Sequence, residues 1–170
     1  MSMGKRPLIA ASMAAGMLWS IGLLWVGAAV VNVPVFALVP TVFSAFLAPG
    51  LVTVAMVGRL AQRRFFDDQI IDGDAFVAGS AAEIDQRVLT NTVEQLVLAL
   101  CIWPAAAVIL AGDGPGVIIM LGLGFSIARI LFWIGYHLSP PLRGFGFAAT
   151  FYPTVCTGLW ILWRFMSGIL

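Results

Sequence analysis

Three polar side chains share one face of an apolar segment in the middle of the chain. Arg87, Asn91 and Glu94 are spaced i, i+4 and i+7, and at about 100° per residue this spacing puts them on a narrow arc of one helix face. A cation, an amide and a carboxylate in one stripe can hydrogen-bond to each other or hold a zwitterionic ligand. Polar groups at membrane depth are costly and are candidates for a functional site. The alternative is a self-satisfied polar ladder that joins two helices, because a buried charge requires a partner.

A second polar set follows on the next apolar segment. Arg129 and Tyr136 are spaced i and i+7, with Phe132 on the same stripe, so all three are predicted to share one helix face. Arg143 follows after a short break. Arg143 is predicted to lie on the cytoplasmic side.

The two sets are expected to meet through an ion pair. Arg129 has no acidic residue in its own segment, and Glu94 is the one carboxylate inside any apolar segment. A contact between Arg129 and Glu94 is therefore predicted, with Arg87 competing for the same carboxylate. His137 is interpreted as an interfacial residue rather than as a base.

The segments that carry these residues must lie in a membrane. The chain is 61% hydrophobic and 10% charged, and no side chain from Pro7 to Gly58 is charged, whereas soluble domains have about 25% charged residues. A hydrocarbon core about 30 Å thick takes roughly 20 helical residues. The uncharged run therefore predicts two spans, with a turn at Asn32-Val33-Pro34 because proline ends helices.

The sequence predicts an all-α integral membrane helix bundle with five spans, one long polar loop and two short breaks. The spans are 8–31, 35–57, 87–111, 117–138 and 145–168; the loop is 59–86, and the breaks are 112–116 and 139–144. Gly122 and Gly124 are expected to allow close packing between helices.

Basic residues predict the orientation of the bundle. The N-terminus, the long loop and the 139–144 break share one side, and the 112–116 turn on the other side has no Lys or Arg. The positive-inside rule puts the basic side in the cytoplasm. Its residues are Lys5, Arg6, Arg59, Arg63, Arg64, Arg87 and Arg143. The first span is expected to be retained, although it could be a signal peptide cleaved near residues 26–28.

Other chemistries find little support in the sequence. A net charge of +1 does not suggest nucleic acid. Cys101 and Cys156 lack metal-ligand spacing and are interpreted as packing residues. Residues 72–74 suggest calcium, but an EF-hand would need an oxygen ligand at Ile70 and a glutamate at Gly79.

The two polar sets together resemble the motifs of a known family. Residues 87–94 have the pattern R-x3-N-x2-E at the start of a membrane helix, and residues 129–143 have the pattern R-x6-Y-x6-R. In this order and at this separation they resemble the MAPEG family, the membrane-associated proteins in eicosanoid and glutathione metabolism. The resemblance covers about residues 35–170 and implies a four-helix core, to which span 8–31 is an addition.

The resemblance implies a homotrimer that binds glutathione between protomers, near the cytoplasmic side. The charged and amide groups of glutathione would be held by the first motif: Arg87, Asn91 and Glu94. Arg129 and Tyr136 would line the same pocket, and Arg143 would lie over the sulfur. A thiol with a pKa of about 8.5 is mostly protonated at neutral pH, and a nearby guanidinium favours the reactive thiolate. That thiolate would attack an apolar electrophile from the lipid or reduce a lipid hydroperoxide.

Two residues and one span depart from the family pattern. Several glutathione-using members have a tyrosine at the position of Phe132 and an aromatic residue at that of Gln95. Span 8–31 could pack outside the trimer or cover the lateral route for lipid substrates. One alternative to a glutathione transferase or peroxidase is a non-catalytic lipid-binding scaffold of the same family, which Phe132 and Gln95 favour. The other is a small transporter or channel subunit that uses Arg129 and Glu94 in a polar path.

Overall fold

The computed structural model describes residues 5–168, and their regular elements are all helices. The α-helices are α1 (Lys5–Ala29), α2 (Leu38–Ala45), α3 (Leu47–Phe65), α4 (Ala81–Ile109), α5 (Gly114–Leu138) and α6 (Pro140–Met166). Two 3₁₀ turns lie at Val35–Ala37 and Ala111–Asp113. Five helical segments are long and apolar enough to cross a membrane, with α2 and α3 forming one of them. The prediction of an all-α membrane helix bundle is confirmed.

The polar segment between the second and third spans is shorter than predicted. Residues 66–80 are non-helical, rather than 59–86. Helix α4 begins early because the Ser80 hydroxyl accepts a hydrogen bond from the Glu83 N–H at 3.1 Å, which caps the first turn. The Glu83 carboxylate accepts a second bond from the Gly79 N–H at 2.6 Å. The S-x-x-E pattern of residues 80–83 is typical of a helix N-terminus and predicts this helix start.

The break predicted at 139–144 is wrong in its extent. Helix α6 begins at Pro140, and the Arg143 N–H donates to the Ser139 carbonyl at 3.0 Å. Proline is well suited to the first helical turn, because its N–H would have no partner there and its φ is already helical. Arg143 therefore lies in the first turn of α6, not in a flexible turn. Helix α5 likewise begins at Gly114 rather than 117, with Pro115 in its first turn.

Helix α5 is the centre of the bundle and packs against all the other α-helices. Its small residues allow close approach, as predicted: Gly122 lies against the backbone of Ala45, and Gly124 lies against the side chain of Leu23. Neither position has room for a Cβ atom. The interior is completed by large side chains such as Trp103, whose Nε1–H donates to the Thr154 hydroxyl at 3.3 Å.

Helix α1 belongs to the bundle and packs on α5 and α6. Gly16 lies against Ala148 of α6, and Gly27 lies against the backbone of Val117 of α5. Both contacts are too close for a larger residue, which is how small residues bring membrane helices together. The N-terminal ends of α1 and α6 therefore lie side by side.

Candidate functional site

A groove of about 520 Å³ lies where α5 ends and α6 begins, with α1 and α4 on its sides. Its polar lining includes three residues that the sequence predicted for the site: Asn91, Tyr136 and Arg143. Its apolar lining includes Ile9, Met13, Phe132 and Phe147. The size falls within the range of small-molecule sites, and the lining has their usual composition of apolar walls with a few polar groups.

The groove is held in shape by close contact between α5 and α6. Gly135 lies against the backbone of Leu142 and Arg143, and Gly146 lies against the backbone of Phe132. This contact brings the guanidinium of Arg143 to 4.9 Å from the centre of the Tyr136 ring. An arginine over an aromatic face gains a cation–π interaction, so the first turn of α6 presents an oriented cation to the groove.

Arg129 lies behind the groove and is completely buried. Its Nη1 donates to the Asn91 side-chain oxygen at 2.9 Å, and its guanidinium lies 3.9 Å from the centre of the Phe132 ring. Within the described residues, Nε and Nη2 of Arg129 have no hydrogen-bond partner. Buried polar groups are usually paired, so this arginine has unused donors beside the candidate site.

The predicted contact between Arg129 and Glu94 is wrong, because Asn91 lies between them. The Asn91 amide oxygen accepts from Arg129, while its Nδ2 donates to a Glu94 carboxylate oxygen at 3.1 Å. A side-chain amide can do both at once. The Asn91 side chain therefore lies between the buried guanidinium of Arg129 and the exposed carboxylate of Glu94.

Arg87 and Glu94 lie on the exposed face of α4 and do not form an ion pair with each other. Arg87 instead donates to Glu83, one turn earlier, at 2.6 Å. Both residues line a second groove of about 310 Å³, which shares Asn91 with the first. Of the six predicted residues, three therefore line the main groove, Arg129 supports it, and these two face outward beside it.

Sequence reasoning missed a buried carboxylate, Asp85, which is 2% exposed. One of its oxygens accepts from Nε of Arg63 at 2.8 Å and Nε of Arg59 at 3.1 Å. The other accepts from Nε1 of Trp133 at 2.7 Å and lies 2.7 Å from Nε2 of His137. Four donors from two helices thus converge on one carboxylate and join α3, α4 and α5.

The Asp85 cluster had a sequence signal that the loop assignment concealed. Arg59 and Arg63 are spaced i and i+4, as are Trp133 and His137, so each pair presents its polar groups on one helix face. The polar loop predicted for residues 59–86 includes Asp85 and so implies a solvated carboxylate, while His137 is predicted to be interfacial. A solvated Asp85 is wrong, because α3 and α4 extend far enough to bury its carboxylate. His137 lies near the end of α5, and it contacts this carboxylate.

The family comparison agrees with the motifs that form this site. The model of the MAPEG family matches residues 9–163. The chain belongs to the MAPEG family. No curated protein and no solved structure matches it. The match begins at Ile9 and so takes in most of α1, which the resemblance in the motifs had left outside the MAPEG core.

The two departures from the MAPEG pattern are both buried. Phe132 packs its ring on the Arg129 guanidinium and meets the Tyr136 ring edge-on, with centroids 5.0 Å apart. Phe132 therefore supplies an apolar surface at the position where the resemblance implies a tyrosine hydroxyl in several glutathione-using members. Gln95 is buried, and its Oε1 has no donor within the described residues.

Proposed function

We propose that the chain is a membrane-bound transferase or peroxidase that uses glutathione as co-substrate. The observation that carries this proposal is Arg143, a cation held over Tyr136 at the edge of a groove whose lining includes Asn91 and, among the described residues, contains no carboxylate. Glutathione has carboxylate groups and becomes further anionic when its thiol ionises. A groove with an oriented cation and no opposing negative charge favours such a ligand.

Arg143 is the proposed thiolate-stabilising residue. A guanidinium near the sulfur lowers the pKa of the thiol, and each pKa unit corresponds to about 1.4 kcal/mol. The thiol proton passes to water, and the thiolate electron pair forms a carbon–sulfur bond with the electrophile. The electron pair displaced at that carbon leaves with the leaving group, or moves to a neighbouring carbon that takes a proton from water.

The peroxidase branch would use the same thiolate. Its sulfur attacks one oxygen of a lipid hydroperoxide, and the oxygen–oxygen bond breaks to give a sulfenic acid and an alkoxide, which takes a proton. A second glutathione then displaces water from the sulfenic acid and forms glutathione disulfide. Two thiols are oxidised, and one hydroperoxide is reduced to an alcohol and water.

The remaining motif residues support a site completed by a neighbouring protomer. Arg87 and Glu94 lie on the outer face of α4 beside Asn91, where a second copy of the chain could enclose a ligand. We propose a homotrimer with glutathione bound at this junction. In the proposed orientation, residues 66–80 and the first turn of α6 face the cytoplasm, because the basic residues concentrate there.

The test is the ultraviolet absorbance of the thiolate when glutathione is mixed with the purified protein. The parent should give a saturable signal, and Arg143→Ala should lose at least about 90% of it, because one pKa unit changes the ionised fraction about tenfold. Arg164→Ala is the control, since Arg164 pairs with Asp113 at the opposite end of the bundle. A full signal in Arg143→Ala protein would refute the assignment of Arg143.

The second candidate is a lipid-binding scaffold without catalysis. Phe132 favours it, because the family hydroxyl is replaced there by an apolar ring that adds to an already apolar groove wall. On this reading, the parent protein would bind a fatty acid with no thiolate signal at any glutathione concentration.

A further inference from the structure

We infer that helix α1 forms the wall of the acceptor subsite and limits the length of the apolar electrophile. This inference rests on the proposed function, because it assigns the second substrate of the same groove. It adds two specificity-determining residues, Ile9 and Met13, that lie outside both sequence motifs.

The first observation is the position of these two side chains. Ile9 and Met13 are spaced i and i+4 and line the groove together with Phe147 and Arg143. The described residues that α1 contributes to the groove lining are apolar, while the polar groups come from α4, α5 and α6. An electrophile with an apolar tail can therefore place its reactive carbon near Arg143 and its tail against α1.

The second observation is that the groove lining on α1 ends at Met13, and that α1 and α6 touch one turn further along. Gly16 lies against Ala148 so closely that a Cβ atom would not fit, and the Ser12 hydroxyl lies against Gly144. The helices α1 and α6 are therefore in direct contact just past the groove. A tail that extends along α1 beyond Met13 meets this helix–helix contact, and we infer that the contact limits acceptor length.

The third observation is that the side chain at the end of the groove, Met13, is partly exposed and flexible. Met13 is 38% exposed, and methionine has a flexible side chain that adapts to ligands of different shape. The inferred substrate class is an electrophile with a short or medium apolar tail, such as a 2-alkenal. In that reaction the thiolate forms a bond to the β-carbon, and the alkene electron pair moves to the α-carbon, which takes a proton from water.

The experiment measures kcat/KM for a series of 2-alkenals of increasing chain length. Met13→Ala should raise the ratio of long-chain to short-chain kcat/KM about tenfold, because one or two methylene groups in an apolar pocket are worth that much. Met13→Phe should lower the same ratio.

Met17 provides a matched control. It lies one turn further along α1 with the same 38% exposure, and it is not part of the groove lining. Met17→Ala and Met17→Phe should leave the chain-length profile as in the parent. If the Met13 variants behave like the Met17 variants, α1 does not shape the acceptor subsite and the inference is overturned.

A binding measurement separates this inference from the proposed function. A diazirine-bearing alkyl carboxylate is photolysed with the parent protein in nanodiscs, with and without excess unlabelled 2-alkenal. Selective loss of labelling at Ile9 and Met13, but not at Met17, would support the α1 wall even in a protein that forms no thiolate. Equal labelling at all three positions with and without competitor would overturn it.

Discussion

Two buried ionic side chains of this chain are satisfied to very different degrees. Asp85 receives four donors and is fully paired. Arg129 has two nitrogens without a partner in the described part of the chain. A fully paired buried charge holds the helices around it together. Buried donors without acceptors instead suit a site in which a ligand supplies the acceptors. We therefore interpret Asp85 as a determinant of stability and Arg129 as part of the proposed glutathione site.

Replacement of Asp85 should destabilise the bundle. Asp85→Ala would leave two arginines without their counter-ion and would leave Trp133 without its acceptor. We expect a loss of about 2–4 kcal/mol, below the largest values for buried pairs because the arginines can reach water. Thermal unfolding in detergent measures this loss. Asp68→Ala in the exposed loop is the control. An equal melting temperature for the two variants would show that the Asp85 cluster does not stabilise the bundle.

The motif residues were predictable from sequence, but their partners were not. Helical spacing correctly put Asn91 and Arg129 on faces that meet, since both lie on long, regular helices. It could not show that Asn91 rather than Glu94 would contact the guanidinium. That outcome depends on the rotation of α4 relative to α5, and a few tens of degrees decide which of two neighbouring side chains is inside.

At the scale of the helices, the contact between α5 and α6 positions Arg143, the proposed thiolate-stabilising residue. Gly135 and Gly146 allow the two helices to touch backbone to backbone. Because the backbone of Arg143 contacts Gly135, the distance between the two helices sets the distance from the Arg143 guanidinium to the Tyr136 ring. A change at either glycine should therefore affect both stability and thiolate formation.

Substitution of Gly135 should separate the two helices. Gly135→Ala places a Cβ atom against the backbone of Arg143, and such overpacking costs about 1–3 kcal/mol. We expect a lower melting temperature and a weaker thiolate signal. Gly58→Ala is the matched control, because no described atom lies within 4 Å of a Cβ there and alanine favours the helix by about 0.5–1 kcal/mol. A Gly135→Ala protein that behaved like Gly58→Ala would contradict this account.

The interiors of the helices were easier to predict than their ends. Apolar composition alone located all five membrane segments, because the lipid imposes it along the whole length of each helix. The ends depended on local chemistry that hydropathy does not measure. Ser80 caps α4 and Pro140 opens α6, and both extended a helix into residues that had been assigned to a loop.

The length of α4 bears on the assembly of the whole molecule. Its 29 residues span about 43 Å, which exceeds the hydrocarbon core by about 13 Å. Glu94 lies about 22 Å along the helix from its Ile109 end. If α4 crosses the whole hydrocarbon core of about 30 Å, Glu94 therefore lies inside that core. It is nevertheless exposed on the single chain. A carboxylate on a lipid-facing surface is costly, which supports the proposal that a second protomer covers this face.

Charge reversal at Glu94 should therefore weaken the proposed trimer. In native mass spectrometry we expect the parent at three times the 18.1 kDa chain mass, and Glu94→Arg mainly as monomer. The new cation would face its own Arg87 and the neighbouring chain, with a repulsion that burial strengthens. Asp72→Arg is the control, because it makes the same reversal in the exposed loop. A monomeric parent, or an intact Glu94→Arg trimer, would mean that α4 faces something other than another copy of the chain.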